Sequence, residues 1–328
     1  MARVGIPQAL LYYQYYPMWR TFFEHLGAEV VVSPPTSKQV VSSGSARMVA
    51  ETCLPTKVFC GHVISLVDRC DCVFVPAIRS IERNVYNCSK FLGLPDLVKA
   101  VVPRCPPLLD VDIDVNKGKR TLYASVYRLG RYFTWNPVKV KEASEAAWRA
   151  HLDYVALMSR DALTIPQAVE HLFHGNGHSS DEGISHDLTI AVIGHPYIIY
   201  DEYVNHRLLR RLQSMGVRVA TAEMAAVEGL DEGVKKLVGR PYWTYEDEVV
   251  GAAGYYFDAP VDGIITVVPF GCGPDSIMTD VVQRYAKRNH TKPVMTLTID
   301  EHTAEAGLIT RLEAFLDMIR RRRRLGCE

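Results

Sequence analysis

No charge of one sign dominates this chain. Its 328 residues carry 37 Lys and Arg against 37 Asp and Glu, so no global field favours nucleic acid or an anionic membrane as a partner. No apolar run is long enough to cross a bilayer. The N-terminus, Met1-Ala2-Arg3-Val4-Gly5, runs straight into a strand-like segment with no secretory leader, and the expected location is the cytoplasm. There is no Cys-x-x-Cys pair, which excludes zinc-ribbon and ferredoxin-type spacing. There is no Gly-x-x-x-x-Gly-Lys-Ser/Thr, and no Gly-x-Gly-x-x-Gly opens a strand–helix unit. The chain therefore lacks the local signatures for holding ATP or a dinucleotide itself.

What is present is an ordinary globular composition, 48% hydrophobic and 23% charged, with enough length for two α/β domains. Two halves look alike. The first opens Val4-Gly5-Ile6-Pro7, passes Tyr12-Tyr13-Gln14-Tyr15-Tyr16 and reaches Leu26-Gly27 before Glu29-Val30-Val31-Val32. The second opens Ile193-Gly194-His195-Pro196, passes Tyr197-Ile198-Ile199-Tyr200 and reaches Met215-Gly216 before Val217-Arg218-Val219. Gly5 to Gly27 and Gly194 to Gly216 are both 22 residues apart, and each stretch reads strand, helix, glycine stop, strand. Each half then reaches an apolar run ending in proline, Asp71–Pro76 and Asp262–Pro269, of the kind that suits a central parallel strand buried on both faces. The segment 142–173 reads as helical, and 174–183 as an exposed linker rich in Gly, His and Ser. The tail Arg320–Arg324 reads as a solvated helix end. The resulting divisions are 1–140, a helical connecting segment 141–186, and 187–328.

Eight cysteines in such a chain are expected to stay reduced, so metal or redox chemistry is favoured over a disulfide framework. Cys272 lies in Phe270-Gly271-Cys272-Gly273-Pro274-Asp275-Ser276, on a glycine-flanked turn after a strand, with a helix start behind it. Ligands bind at this edge of open α/β sheets. Gly271 and Gly273 let backbone approach a bulky ligand. Cys53, followed by Leu54-Pro55, sits just before a helix start. Cys88 falls in a loop after the strand ending at Pro76, on the same edge. These three thiols are placed to converge on an interdomain cleft. The alternative for any lone cysteine is a small packed thiol. Cys72 reads as core, Cys60 and Cys70 as parts of the helix after Cys53, Cys105 as a turn residue and Cys327 as tail.

Several motifs together resemble one family. They are Gly5-Ile6-Pro7 with Leu11-Tyr12-Tyr13, Glu51-Thr52-Cys53-Leu54-Pro55, Cys88-Ser89-Lys90-Phe91-Leu92-Gly93-Leu94-Pro95, Val268–Asp275, and Asp300-Glu301-His302-Thr303-Ala304-Glu305-Ala306-Gly307. Over Val4 to about Arg320 the chain is similar to the acyl-CoA dehydratase activase-related proteins. These are relatives of the 2-hydroxyacyl-CoA dehydratase D component, in a superfamily with benzoyl-CoA reductase and double-cubane cluster proteins. The resemblance implies two Rossmann-like, doubly wound parallel-sheet domains, here related by duplication and joined by a helical segment. It implies a 4Fe-4S cluster held by Cys53, Cys88 and Cys272, with a double-cubane cluster recruiting Cys60 or Cys105 as the alternative. It also implies electrons from a separate ATP-hydrolysing iron–sulfur activator, an acyl-CoA or other small-molecule substrate, and a homodimer.

Three thiolates leave one iron open to a substrate oxygen. A proton donor is then expected nearby. Asp300-Glu301-His302 follows the apolar strand Val294–Ile299, so His302 and Glu301 are candidates for proton transfer. Their alternative is structural: Glu301 or Thr303 capping the next helix, with Glu305 and Arg311 in surface pairs. His195 either lines the cleft or bonds a turn, Asp275 reads as a helix cap, and the tyrosines at 12, 13, 15 and 16 read as packing or interface residues. The expected function is an iron–sulfur reductase or dehydratase component. A non-catalytic electron relay or cluster-delivery scaffold competes with it, and a structural zinc protein is the least favoured reading.

Overall fold

A computed structural model describes residues 1–175, 186–289 and 292–326 of the chain. The chain divides into two compact units, Met1–Ala156 with Tyr242–Thr244, and Leu157–Pro241 with Tyr245–Glu328. The break falls inside the stretch read as a connecting segment. Most of the expected linker 174–183 lies outside the described residues.

The first unit runs β1 (Arg3–Ile6), α1 (Tyr12–His25), β2 (Glu29–Val32), α2 (Lys38–Ser45), α3 (Leu54–Leu66), β3 (Cys72–Phe74), β4 (Ala77–Ser80), α4 (Ser89–Leu92), α5 (Leu94–Val101), β5 (Leu108–Leu109), β6 (Asp112–Asp114), α6 (Lys119–Gly130) and most of α7 (Pro137–Asp161). The second holds α8 (Ile165–His174), β7 (Leu188–Ile193), α9 (Pro196–Ile199), α10 (Leu208–Ser214), β8 (Val217–Ala220), α11 (Val227–Leu237), α12 (Val250–Asp258), β9 (Gly263–Pro269), α13 (Gly273–Asn289), β10 (Val294–Ile299) and α14 (Glu305–Arg324). No helix among the described residues is long and apolar enough to cross a membrane.

Each unit is built on a four-stranded parallel sheet, ordered β2-β1-β3-β5 in one and β8-β7-β9-β10 in the other. β4 and β6 form a small separate parallel pair. The α/β expectation of two parallel-sheet units therefore holds. The shared strand order repeats the likeness read in the sequence; descent by duplication remains an expectation, since this order is common to doubly wound folds. All seven residues of β9 are buried. Burying a Val, Leu or Ile side chain contributes about 1.5–3 kcal/mol, so the run Ile264–Val268 alone explains why this segment is central.

The glycine stops behave as their spacing suggests. Gly27 and Gly216 both take positive φ, +86° and +79°, a region that costs little only without a Cβ. The predicted helix over 142–173 is instead two helices. Ala162 turns at positive φ, and Thr164 with Gln167 forms a capping box ahead of Pro166. Proline cannot continue the helix before it, and the box starts a new one.

Both units also carry a helix pair crossing through glycine. A Cβ on Gly44 of α2 would lie 1.9 Å from the carbonyl oxygen of Lys57 in α3, and one on Gly61 2.0 Å from that of Val40. In the second unit a Cβ on Gly233 of α11 would lie 2.0 Å from the carbonyl oxygen of Gly251 in α12. These contacts are backbone to backbone and cannot be relieved by a rotamer change.

At one edge of the first sheet, three segments are tied by hydroxyls. The Gln8 amide donates to Ser33 Oγ (2.8 Å), Ser33 Oγ meets His62 Nδ1 (2.8 Å), and Thr36 Oγ1 meets His62 Nε2 (2.9 Å). His62 has no exposed surface, and burial pushes its pKa down to about 4.

Gly44→Ala and Gly233→Ala are each expected to destabilise by about 1–3 kcal/mol, the usual cost of overpacking. Gly307→Ala, whose added Cβ meets nothing within 4 Å, is expected to be neutral or stabilising, and urea midpoints with unchanged m-values decide the comparison. His62 titrates in the unfolded chain near pH 6.5 but only near 4 when folded. The unfolded state therefore takes the proton first. Stability should fall by on the order of 3 kcal/mol as pH drops from about 6.5 to about 4. His62→Asn should flatten that limb in a thermal-midpoint profile against pH.

Candidate functional site

In the second unit, β7 connects onward to β8 on one side, and the chain returns as β9 on the other. The loops after β7 and β9 therefore leave in opposite directions at the C-terminal edge, the position where open α/β sheets form a crevice. The two loops lie close: a Cβ on Gly194 would sit 2.7 Å from the carbonyl oxygen of Val267. After β9 the chain turns through Gly271, at φ +80°, and reaches Cys272 immediately before α13. The Cys272 amide donates to the Pro269 carbonyl (3.2 Å), and both the amide (3.2 Å) and the hydroxyl (2.7 Å) of Ser276 donate to the Cys272 carbonyl. Cys272 is half-buried. A Cβ at Gly273 would meet nothing within 4 Å, so the backbone beside the thiol borders open space.

Beneath this turn lies a buried charge cluster. His195, the residue before α9, places Nδ1 2.6 Å from Glu248 Oε2 and Nε2 2.9 Å from Asp275 Oδ1. His195 is 6% exposed and Asp275 1%. Tyr197 stacks on the imidazole at 5.1 Å between centroids. Burial pushes the His195 pKa down, but the charges and hydrogen bonds of Asp275 and Glu248 outweigh it and hold the ring well above its ordinary value. The ring is thus an imidazolium gripped on both nitrogens. Among the described residues, Asp275 Oδ2 has no hydrogen-bond partner, nor has the buried Thr279 Oγ1 one turn further along α13. Burial, reinforced by the Glu248 charge, raises Glu223 to about 8, so that carboxyl is protonated at neutral pH. It accepts from Thr221 Oγ1 at 2.8 Å, and Thr221 in turn accepts from Tyr200. Two protons are held here, one on His195, which bonds Asp275 three residues beyond Cys272, and one on Glu223 within the field of Glu248.

Two sequence readings are corrected here. Asp275 is not a helix cap but a carboxylate partner of His195, and His195 is locked in a buried ion cluster rather than lining a cleft or bonding a turn. Glu248 and Glu223 were not anticipated. The acidic run Glu246-Asp247-Glu248 was visible, but nothing local distinguishes it from a solvated turn.

The turn after β10 lies beside that of β9. Ile299 pairs in register with Pro269, and the Phe270 amide donates to the Ile299 carbonyl (2.8 Å). Asp300 organises this turn, accepting from the His302 amide (2.9 Å) and from Thr303 Oγ1 (2.9 Å). His302 is exposed and Glu301 half-buried. The helix behind them, α14, has Ala304 at its N-cap, and the Thr303 hydroxyl is engaged with Asp300. Glu305 pairs with Arg211, and Arg311 donates to the Thr296 carbonyl (2.6 Å) rather than to a carboxylate. The arginine tail is not simply solvated: Arg320 pairs with Asp187 (2.7 Å) and Arg323 with Asp262 (2.9 Å), fastening α14 beside the starts of β7 and β9.

In the first unit, Cys53 is the N-cap of α3 and Cys88 the N-cap of α4. Because α3 leads back to the start of β3, its first turn and Cys53 lie at the C-terminal edge of the sheet. Cys53 Sγ is 3.2 Å from Thr56 Oγ1. Lys57 Nζ donates to the Ala50 carbonyl (2.8 Å), holding the approach to the helix. The Cys88 amide donates to Asn87 Oδ1 (2.9 Å), and the Asn87 amide to the Arg79 carbonyl (2.8 Å). Tyr13 and Tyr16 are buried, and Tyr154 Oη donates to the Tyr13 carbonyl (2.8 Å), a packing role as expected.

No cysteine among those described is in a disulfide. Cys60, Cys70 and Cys72 are packed in the core, and burial raises Cys60 to about 12 and Cys72 to about 11. They are poor sources of thiolate. Cys53, Cys88 and Cys272 are instead half-buried, and each directly precedes a helix. As thiols outside the packed core they are the sulfur donors among the described residues that an iron–sulfur cluster would draw on. Among the described residues, no three His, Cys, Asp or Glu side chains are placed to hold a metal ion.

A family model described as the CoA enzyme activase uncharacterised domain (DUF2229) matches residues 3–225. The match takes in Cys53, Cys88, His195 and Glu223, and ends before Glu248, Cys272 and Asp275. No curated protein matches the chain.

His195→Gln removes the cation and leaves two buried carboxylates facing each other, which is expected to cost about 3–5 kcal/mol. The pH dependence is opposite to that of His62. The folded His195 pKa lies above its unfolded value, so its stabilisation is full below about pH 6.5 and is lost as pH rises through the raised folded value. Thermal midpoints should show this alkaline decline in the wild type and not in His195→Gln.

Proposed function

Because the chain belongs to the CoA enzyme activase uncharacterised domain family (DUF2229), we propose that it serves a CoA-dependent dehydratase or reductase system as an iron–sulfur protein. In this reading it works as the acyl-CoA dehydratase activase-related proteins that it resembles do, and through them as a relative of the 2-hydroxyacyl-CoA dehydratase D component. In this reading Cys53, Cys88 and Cys272 hold one 4Fe-4S cluster, and an ATP-hydrolysing iron–sulfur activator is the electron-donating partner. The observation that carries the proposal is that these are three half-buried thiols, each placed directly before a helix, while Cys60, Cys70 and Cys72 are packed away. The double-cubane alternative would draw on half-buried Cys105 rather than on Cys60, which is packed in the core of α3.

When bound, the cluster would supply one-electron reduction and Lewis acidity at an iron without a protein ligand. The chain's own residues would do the rest. Gly271 and Gly273 keep side chains away from the Cys272 turn, and their amides are available to hydrogen-bond sulfur. Glu301 and His302, on the turn fastened beside Cys272, would hold or deliver a proton to an acyl-CoA or other small-molecule substrate. His195, under Asp275, fixes the first turn of α13 and hence the Cys272 backbone.

A second reading, electron relay or cluster delivery to a larger dehydratase, is favoured by one feature: Phe270, two residues before Cys272, is 61% exposed. An exposed ring beside a redox thiol suits a docking face more than a closed substrate pocket.

Anaerobically purified protein is expected to contain roughly four irons per chain, with matching sulfide and a reduced-state EPR signal. Cys53→Ala, Cys88→Ala and Cys272→Ala should each lose most of that iron, while Cys72→Ala should retain it. Full iron in the first three would defeat the proposal. His302→Ala should lower turnover by roughly 10²-fold or more if the residue transfers a proton. An unchanged rate across pH would leave the relay reading.

A further inference from the structure

A long stretch of one charge sign lies in the first unit. From Lys117 to Lys141 there are seven Lys and Arg and no Asp or Glu, in a chain whose formal net charge is zero. All seven are exposed. Lys117 is drawn to Asp112 and Lys141 to Glu145. Among the described residues, Lys119, Arg120, Arg128, Arg131 and Lys139 have no acidic partner.

The helix in this stretch has its periodicity occupied in an unusual way. α6 turns Leu122, Val126 and Leu129 inward, yet only Leu129 and Gly130 of its 12 residues are buried. Arg120, Tyr123, Tyr127, Arg128 and Arg131 recur at helical spacing on the other face. Tyr123 is 69% exposed. Tyr132 and Trp135, in the turn that follows, are 63% and 73% exposed. The Arg131 guanidinium lies 3.9 Å from the centre of the Trp135 ring, a cation–π contact that holds both side chains in place. A helix this short is marginal in water without packing, and large rings among unpaired arginines have the composition of an interface core.

We propose that this face of α6 and its following turn is a docking site for an acidic protein surface. Its partner in the system proposed above is the ATP-hydrolysing iron–sulfur activator; only that identity rests on the functional reading. A second copy of this chain is disfavoured, because a two-fold contact would set these cations against themselves. Single-stranded nucleic acid is disfavoured because the rings and cations line the outside of a helix rather than a groove tracking a backbone. The surface is local, which is why the balanced total charge of the chain conceals it.

The test uses the full chain, purified anaerobically, titrated with the purified activator and separately with an oligothymidylate of about 20 nucleotides, a length that exceeds ordinary single-strand site sizes. The activator should bind, and its affinity should fall at least tenfold between about 50 mM and about 300 mM salt as screening shortens the field. Affinity should also fall at least tenfold in Arg120→Glu/Arg128→Glu and in Tyr123→Ala/Trp135→Ala. Far-UV circular dichroism and iron content should stay at wild-type values in both double variants. No activator binding by the wild type, wild-type affinity in both variants, or tighter binding of the oligothymidylate through the same residues would each overturn the proposal. Iron content is read independently. Protein without iron that still binds the activator through these residues would end the cluster assignment and leave the docking face standing, and the reverse pattern would do the opposite.

Discussion

Parallel strand pairing requires the chain to cross back over the sheet before each new strand, and both four-stranded sheets are parallel throughout. That requirement delivers every strand C-terminus and the first turn of every returning helix to the same edge. Side chains at those turns therefore gather whether or not they are neighbours in sequence. Cys53 and Cys272 reach their edges in this way, as do His195, Asp275 and the Asp300–Thr303 turn. The glycine-mediated crossings of α2 with α3 and of α11 with α12 serve the same geometry, since each pair must pack in the space of one return path.

The electrostatics of the second unit follow from that crowding. Bringing His195, Glu248, Asp275 and Glu223 to one buried edge without compensation would be strongly unfavourable. The molecule offsets it in two ways. His195 carries a positive charge between two carboxylates, and Glu223 stays protonated. The remaining unsatisfied oxygen of Asp275 is the part of the cluster with no compensation among the described residues. It lies three residues beyond Cys272, in the first turn of the helix that the thiol precedes.

Much of this was legible in the residues. The strands announced themselves as apolar runs, the helix ends as glycines adopting positive φ, and the positions of Cys53 and Cys272 before helices as proline and glycine punctuation; Cys88 reads only as a loop residue, and the structure adds the short α4 behind it. The break at Ala162–Thr164 is masked in sequence because the apolar pattern runs through it, although Thr164, Pro166 and Gln167 carry the capping signal. The arginine tail reads as solvated in sequence because its acidic partners, Asp187 and Asp262, lie far away along the chain. The cationic face of α6 was hidden by averaging charge over the whole chain.

Local energetics account for what the sequence determined alone: rotamer and φ preferences, capping and apolar periodicity act over a few residues, so they fixed the elements and the places where thiols precede helices. Tertiary structure decided which side chains share an environment. His195 meets Glu248 across 53 residues and Asp275 across 80. No residue type at any of those positions foretells the encounter, because it depends on the order in which strands enter the sheet. A carboxylate beside a helix start is a cap or an ion-cluster partner according to what the crossing chain places opposite it.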